Sequence, residues 1–254
     1  MSEYFKNKAA IVTGAGSGIG AEICYAFAAR GCNIFMVDKT PIKAEIMEKV
    51  EGYGVKAVAY ECDVSDFNGC KALVDAAVEA FGEIEYLVNN AGITWDAMIK
   101  KMTEEQWDTI MNVDVKSVFN LTHHIWPVFE KQFKANGEVG SPGSIINMSS
   151  GVGYTANIGQ ANYGSAKAAV AHFTRHSARE FAKINVTVNG VAPGFIISPI
   201  TDRLQGELRD KFLSTIPLKR AGTGAEVASS VVFLAENRYI TGQIIHVDGG
   251  IVMF

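Results

Sequence analysis

Short apolar runs alternate with longer amphipathic stretches along the whole chain. The runs are apolar at successive positions, which is typical of strands in a parallel sheet that is covered on both faces. Seven of them predict strands: KAAIVTG, NIFMVD, KAVAYECD, EYLVNNAG, GSIINMSS, NVTVNGVAPG and QIIHVDGG. Between them, the pattern predicts helices near residues 18–30, 41–52, 67–81, 104–133, 162–183 and 224–236.

This regular alternation predicts an α/β fold: a single-domain Rossmann fold with a doubly wound, seven-stranded parallel sheet and helices on both faces. No change in composition divides the chain, so we expect one domain over residues 1–254. Two stretches interrupt the alternation. Residues 134–144 predict a turn-rich loop, and residues 195 to about 223 predict a lid over a substrate site.

Composition narrows the range of partners. The net charge is −4, and the chain has no cluster of lysine and arginine, so we expect no binding to nucleic acid. There is no apolar run of about 18 residues and no charged leader, so we expect a cytoplasmic protein without a membrane segment. The four cysteines form no C-x-x-C pair, which favours reduced thiols and no metal site.

A glycine-rich turn marks one end of the predicted site. Gly14, Gly16, Gly18 and Gly20 follow the first strand and open a helix. Such glycines let the backbone approach a pyrophosphate, whose charge then lies at the helix N-terminus. The second strand ends in Asp38, which would bind ribose hydroxyls and repel a 2′-phosphate, so it favours NAD over NADP.

A second group of residues suggests proton transfer. Tyr163 and Lys167 are four apart in QANYGSAKAAVAHF and share one face of a predicted helix. A phenol ionises near pH 10, and a neighbouring ammonium group such as that of Lys167 lowers this value. Ser150, at the end of the strand GSIINMSS, could hold a substrate oxygen against the tyrosine. Alone, a Y-x-x-x-K pair is weak evidence for catalysis; together with the nucleotide-binding turn and the serine at the strand end, a catalytic role is favoured.

With these motifs the chain resembles the short-chain dehydrogenase/reductase family over essentially its whole length. TGAGSGIG at 13–20 is similar to the family's glycine turn, CDV at 62–64 to its adenine-contacting segment and NNAG at 89–92 to its fourth-strand motif. NGVAPGF at 189–195 is similar to the segment beside the nicotinamide, and Asn112 in IMNVDVKSVF to the asparagine of the catalytic tetrad.

The resemblance implies a role for each matched residue. Tyr163 would be the general acid in reduction, Ser150 would orient the substrate oxygen, Lys167 would assist the tyrosine and bind the ribose, and Asn112 would anchor a relay water. The implied cofactor-binding set is Gly14, Ser17, Gly18, Ile19, Gly20, Asp38, Asp63, Val64, Asn90, Ala91, Gly92, Tyr163, Lys167, Pro193, Gly194, Ile196 and Ser198.

The substrate is less well defined. The chain is most similar to the 3-oxoacyl-[acyl-carrier-protein] reductase and acetoacetyl-CoA reductase branch, which implies an NAD(H)-dependent 3-oxoacyl thioester reductase. However, Ser141, Ile184 and Trp95 stand where this branch often has arginines, and the branch usually prefers NADP. An NAD-dependent dehydrogenase of another secondary alcohol, hydroxy acid or polyol therefore remains an alternative, and a non-catalytic NAD-sensing regulator a remote one.

Residues that could shape the substrate pocket are Trp95, Tyr154, Asn157 and Gln160, together with Ser150 and Tyr163. The expected partner is a small carbonyl or alcohol. The family resemblance also implies a homotetramer, formed through the helices near 104–133 and 162–183 and through the last strand.

Overall fold

The computed structural model describes residues 3–197 and 213–253. Its centre is a parallel sheet of seven strands, in the order β3-β2-β1-β4-β5-β6-β7. The strands are β1 (Ala9–Thr13), β2 (Asn33–Asp38), β3 (Ala57–Glu61), β4 (Tyr86–Asn89), β5 (Ser144–Met148), β6 (Thr187–Pro193) and β7 (Ile244–Val247). The predicted α/β fold with a doubly wound seven-stranded sheet is confirmed.

Helices cover both faces of the sheet. They are α1 (Gly18–Ala28), α2 (Ala44–Glu51), α3 (Phe67–Phe81), α4 (Glu104–Ile110), α5 (Ser117–Ala135), α6 (Ala161–Phe181) and α7 (Gly224–Glu236). Short 3₁₀ helices occur at Glu3–Phe5, Ile99–Lys101, Gly151–Gly153 and Ala182–Ile184. Two side-chain caps fix helix starts near the site: Asp66 accepts from two amides at α3, and Thr223 forms a capping box with Glu226 at α7.

The core consists of two apolar layers, one on each side of the sheet. Successive residues of β1 point to opposite sides, so that Ala10 and Val12 pack beneath α1, α2 and α7, while Ala9 and Ile11 pack beneath α3, α5 and α6. Every residue of β1, β4, β5 and β6 is buried. This explains why the central strands are apolar runs rather than alternating patterns.

The predicted helix at 104–133 is not continuous. Helix α4 ends at Ile110, a π-helical segment (Met111–Lys116) follows, and α5 begins at Ser117. A π turn contains one more residue than an α turn and therefore shifts the face on which the next side chains lie. The apolar periodicity around Met111 does not reveal this shift, which determines which polar side chain points into the site.

The sheet order reverses between β1 and β4. Chain connections run from β1 towards β2 on one side and from β4 towards β5 on the other, which leaves a crevice at the carboxyl ends of these strands. Of the segment predicted as a lid, residues 198–212 lie outside the described residues. Its base is closed by parallel pairing of Ile196 with Gly222. Among the described helices, none is long and apolar enough to cross a membrane.

Candidate active site

The glycine turn after β1 has the shape that a phosphate-binding loop requires. Gly14 and Gly18 have φ values of +63° and +53°, which favour glycine. A Cβ on Gly20 would lie 1.9 Å from the carbonyl oxygen of Gly14, so only glycine allows the helix to pack this closely on the turn.

The start of α1 offers amide groups to an anion. Within the described residues, the N-cap Ser17 makes no side-chain hydrogen bond to the first turn of the helix. A Cβ on Gly18 would meet no atom of the described chain within 4 Å, so there is open space at the turn. The amides of Gly18, Ile19 and Gly20 belong to the first helical turn, whose N–H groups lack partners within the helix. These residues therefore fit a pyrophosphate.

The second loop of the crevice is tied directly to the glycine turn. The hydroxyl oxygen of Thr13 accepts hydrogen bonds from the amides of Asn90 and Ala91, each at 3.0 Å. The side chain of Asn90 donates to the carbonyl oxygen of Thr13 at 2.8 Å. The ends of β1 and β4 are thus fixed relative to each other, and Thr13 is a positioning residue that the sequence analysis did not single out.

Asp38 lies at the end of β2 against the glycine turn. Its Oδ2 atom accepts a hydrogen bond from the Gly16 amide at 2.9 Å. Its Oδ1 atom accepts from the amide and hydroxyl of Thr40 at 3.2 and 3.3 Å. Three donors therefore hold the carboxylate where the ribose of a dinucleotide is expected.

The predicted adenine-contacting segment is also held in place. Asp63 forms an ion pair with Lys39, with 2.7 Å between the ammonium nitrogen and Oδ2. Hydrogen bonds from Lys39 and Ser65 lower the pKa of Asp63 to about 2. The carbonyl oxygen of Val64 accepts hydrogen bonds from the Cys70 thiol and the Asn120 side chain.

Ser150 lies in a turn that packs against α6. Its side chain is buried, and its Oγ atom accepts a hydrogen bond from the Val152 amide at 3.3 Å, which leaves the hydroxyl hydrogen for a substrate oxygen. A Cβ on Gly153 would lie 2.9 Å from the Lys167 carbonyl carbon, so the turn and the helix are in close contact. The neighbouring Ser149 is buried and donates to the Lys167 carbonyl oxygen at 2.9 Å, which joins β5 to α6.

Tyr163 and Lys167 share one face of α6, as predicted from their spacing. The Lys167 ammonium nitrogen lies 5.6 Å from the centroid of the Tyr163 ring. Tyr163 is half-buried, whereas Lys167 is almost completely buried. The ammonium group donates to the carbonyl oxygen of Met148 at 3.1 Å and lies 2.9 Å from Oδ2 of Asp114.

Asn112 is not brought to this group. It lies on the π-helical segment with an exposed side chain, whereas Asp114, two residues later, is fully buried beside Lys167. The side chain that contacts Lys167 is that of Asp114, because a π turn, which the sequence pattern does not reveal, determines which side chain points inwards. The only hint in the sequence is an acidic residue between two valines in NVDVKSVF. The relay role assigned to Asn112 stays a prediction.

The segment after β6 lines the opposite side of the crevice. Pro193 is buried at the end of β6, and the Gly194 amide donates to the Val247 carbonyl oxygen at 3.0 Å. A Cβ on Gly194 would lie 2.6 Å from Cβ of Asp248, so this position has no room for a side chain. Ile196 is buried. Ser198 lies outside the described residues.

Two of the predicted substrate residues, Asn157 and Gln160, form a polar cluster with Asp96 just before α6, whereas the Tyr154 ring packs against His246 with 4.5 Å between the ring centroids. The Gln160 side chain donates to both carboxylate oxygens of Asp96 at 3.1 and 3.2 Å, and Asn157 donates to Gln160 at 2.9 Å. Trp95 is 40% exposed. Its carbonyl oxygen accepts a hydrogen bond from the side chain of Asn162, a fully buried residue next to Tyr163 that was not singled out from the sequence.

Comparisons with known proteins agree with this geometry. A family profile described as Enoyl-(Acyl carrier protein) reductase matches residues 14–252. The chain belongs to the short-chain dehydrogenase/reductase family. It is thus an oxidoreductase that acts on CH–OH groups, and the nicotinamide cofactor of the family fits the crevice.

Individual relatives match this chain over nearly its whole length. The 3-oxoacyl-[acyl-carrier-protein] reductase FabG of Staphylococcus aureus (strain Mu50) is 42% identical over 250 residues, covering 97% of this chain and 98% of the relative. The protein of the same name from Thermotoga maritima is 41% identical over 251 residues, covering 98% of this chain and 99% of the relative. Nodulation protein G of Rhizobium sp. (strain N33) is 39% identical over 247 residues, covering 96% of each chain.

Proposed function

We propose that this enzyme reduces a 3-oxoacyl thioester, carried by an acyl carrier protein or coenzyme A, to the 3-hydroxyacyl thioester with NADH. The observation that carries the reaction type is the buried Lys167 beside Tyr163 on one helical face, next to the turn that holds Ser150. The substrate class rests on the relatives, two of which are named 3-oxoacyl-[acyl-carrier-protein] reductase over nearly the full length.

The preference for NADH rests on Asp38. A 2′-phosphate on the ribose would bring two negative charges close to a carboxylate that three donors hold in place. Two unit charges about 4 Å apart interact by about 4 kcal/mol at an effective dielectric constant near 20, and water reduces this further. Lys39, which follows Asp38 in the sequence, is paired with the Asp63 carboxylate instead, although an exposed ion pair contributes little.

Three residues of the protein would have separate roles in carbonyl reduction. When bound, NADH would supply the hydride that is added to the carbonyl carbon. The Ser150 hydroxyl would donate a hydrogen bond to the carbonyl oxygen, and the Tyr163 hydroxyl would give its proton to that oxygen as negative charge develops there. The Lys167 ammonium group would stabilise the tyrosinate that remains, and its third N–H is available for the ribose of the cofactor.

A second candidate is the NAD-dependent oxidation of a smaller secondary alcohol, hydroxy acid or polyol. It is favoured by the Asp96 carboxylate at the pocket rim, which Gln160 holds in place. Acyl carriers and coenzyme A are acidic, and a carboxylate close to their path would repel them. The resemblance to the reductase branch implies arginines at three positions that are occupied here by Ser141, Ile184 and Trp95.

Initial rates with a thioester and with alcohol substrates distinguish these two functions. We would measure NADH oxidation with acetoacetyl-CoA and NAD reduction with a panel of secondary alcohols, hydroxy acids and polyols, and repeat both with NADP(H). The proposal predicts turnover of acetoacetyl-CoA with kcat/KM at least about 10⁴ M⁻¹s⁻¹, the lower end of the usual range for an enzyme and its substrate. No activity with the thioester, together with turnover of an alcohol with NAD, would establish the second candidate instead.

The cytoplasmic location and the homotetramer remain predictions. For the oligomer, light scattering at micromolar concentration is the direct test, and a monomer would contradict it. If the protein binds NADH but turns over none of these substrates, it would instead be the non-catalytic regulator that senses NAD.

A further inference from the structure

Lys167 lies where an ammonium group is difficult to keep charged. The residue is only 4% exposed. Burial of an ammonium group without a charged partner favours loss of its proton, because the surroundings solvate charge poorly. The proposed reaction requires the opposite, a lysine that remains positively charged beside Tyr163.

Asp114 supplies the missing negative charge. It is fully buried on the π-helical segment, and its Oδ2 atom lies 2.9 Å from the Lys167 ammonium nitrogen. Within residues 3–197 and 213–253, this oxygen makes no hydrogen bond outside the ion pair. The other oxygen, Oδ1, accepts a hydrogen bond from the Ile93 amide at 2.9 Å. One carboxylate therefore contacts both the catalytic lysine and the loop after β4.

Gly92 makes room for the pair. A Cβ at this position would lie 2.8 Å from Oδ2 of Asp114 and 3.0 Å from the Lys167 ammonium nitrogen. The backbone of Gly92 thus lies against the pair, and water has little access to it because Lys167 and Asp114 are both buried. At such a site a lone charge would be costly, and the two charges depend on each other.

The surrounding charges determine whether Lys167 keeps its proton. The charged or titratable groups that act on it in the described structure are Asp114 and, from its own helix, Tyr163, while β5 contributes the Met148 carbonyl oxygen. Burial alone would lower the pKa of Lys167, but the Asp114 carboxylate, followed by Tyr163, raises it above its ordinary value. The ion pair with Asp114 and the hydrogen bond to Met148 thus act on one ammonium group, while the Ile93 amide anchors the carboxylate.

We propose that Asp114 is a positioning residue for catalysis, which keeps Lys167 charged and fixed beside Tyr163 and links this charge to the loop after β4 through Ile93. The inference rests on the proposed carbonyl reduction and deepens it. Asp114 does not contact the reacting atoms; it acts through Lys167.

Replacement of Asp114 by asparagine removes the negative charge and keeps the shape of the side chain. Asp114→Asn keeps a side-chain oxygen that can accept from the Ile93 amide but removes the negative charge. Reduction needs a proton on Tyr163 and a positive charge on Lys167. Without the carboxylate, Lys167 loses its proton at lower pH, so the alkaline limb of the kcat profile moves to lower pH.

The first measurement is the pH profile of kcat for acetoacetyl-CoA reduction by the wild type, Asp114→Asn and the control Asp75→Asn. Asp75 is an exposed residue of α3 that pairs with Lys71, and it is not among the groups that shift the pKa of Lys167. We expect the alkaline limb of Asp114→Asn to move down by at least about one pH unit, a tenfold loss of rate on that limb, and the control to match the wild type. An unmoved limb, with or without a uniform loss of rate, would overturn the proposal.

The second measurement does not depend on the reaction. Protein labelled with ¹³C at the lysine ε-carbons is titrated by NMR, and Lys167→Met identifies the signal of Lys167. We expect Lys167 of the wild type to lose its proton at higher pH than the surface lysines, and in Asp114→Asn at least about one unit lower than in the wild type.

These two measurements separate the possible failures. If the wild type reduces no 3-oxoacyl thioester, the proposed function fails and the NMR titration still decides the state of Lys167. If Asp114→Asn does not fold, the wild-type titration alone decides. A Lys167 signal that titrates below the surface lysines in the wild type would contradict the proposal.

Discussion

The Asp38 carboxylate accepts a hydrogen bond from the Gly16 amide, with 2.9 Å between the two atoms. This contact connects the end of β2 to the glycine turn after β1. It also fixes the acidic group next to the place where the ribose of a dinucleotide is expected. A Cβ on Gly16 would lie 2.8 Å from the same oxygen, so the close approach depends on glycine.

Removal of the Asp38 charge should change the choice of cofactor. We expect Asp38→Ser to raise the ratio of kcat/KM for NADPH over NADH by about 10- to 100-fold, because repulsion of the 2′-phosphate is lost. The ratio is measured from initial rates with one ketone substrate and both cofactors. Glu79→Gln, which removes an exposed carboxylate from α3, should leave the ratio as in the wild type. An equal ratio in wild type and Asp38→Ser would show that another group selects the cofactor.

The sequence assigns a catalytic role to Asn112, whereas the structure places Asp114 beside Lys167. The geometry predicts that Asp114→Ala lowers kcat by at least about tenfold, since Lys167 loses its charged partner. It also predicts a smaller loss for Asn112→Ala, whose side chain is exposed. Steady-state kinetics compare the two variants, and circular dichroism checks that both are folded. A larger loss at Asn112 would support the assignment made from the sequence.

Much of the fold could be predicted from the sequence, because its signals are local. The glycine turn follows an apolar run and opens a helix, and Tyr163 and Lys167 are one helical turn apart, so their placement needs no knowledge of distant contacts. Asp38 could be identified because it ends the strand after that turn.

The missed features depend on tertiary contacts. The π-helical segment has no distinct apolar period, so the inward position of Asp114 is visible only once Lys167 and Gly92 are packed against it. Similarly, Thr13 and Asn162 are important for the partners that they hold, the loop after β4 and the Trp95 carbonyl oxygen. Those partners lie far away in the sequence.

Gly20 should tolerate no side chain. A Cβ there would lie 1.9 Å from the Gly14 carbonyl oxygen, a distance that forces the turn and α1 apart. We expect Gly20→Ala to lower the free energy of unfolding by at least about 2 kcal/mol and the thermal midpoint by about 5 °C. Calorimetry measures both.

The matched control is Gly151→Ala. The nearest atom to its new Cβ would be the Pro193 carbonyl oxygen at an ordinary 3.5 Å, so the thermal midpoint should fall less than in Gly20→Ala. Equal midpoints for the wild type and Gly20→Ala would mean that α1 does not pack on the turn as described.

The ion pair of Asp63 with Lys39 predicts a small acid-dependent contribution to stability. The pKa of Asp63 is lowered to about 2 in the folded protein, so the contribution is present above its unfolded value near 3.8 and is lost as the pH falls towards 2. Because the pair is exposed, it should contribute no more than about 1 kcal/mol. Urea unfolding of the wild type and Asp63→Asn at pH 6 and pH 3 should show a difference that shrinks at pH 3. A difference that is constant with pH would argue against the pair.

The central claim is that Tyr163 transfers the proton in an NADH-dependent carbonyl reduction. The most direct test measures acetoacetyl-CoA reduction and NADH binding, the latter by fluorescence, for the wild type and Tyr163→Phe. We predict a loss of kcat of at least about 100-fold, the lower range for removal of a general acid, with the Kd for NADH changed less than about threefold. Unchanged kcat in Tyr163→Phe, with NADH bound normally, would contradict the account.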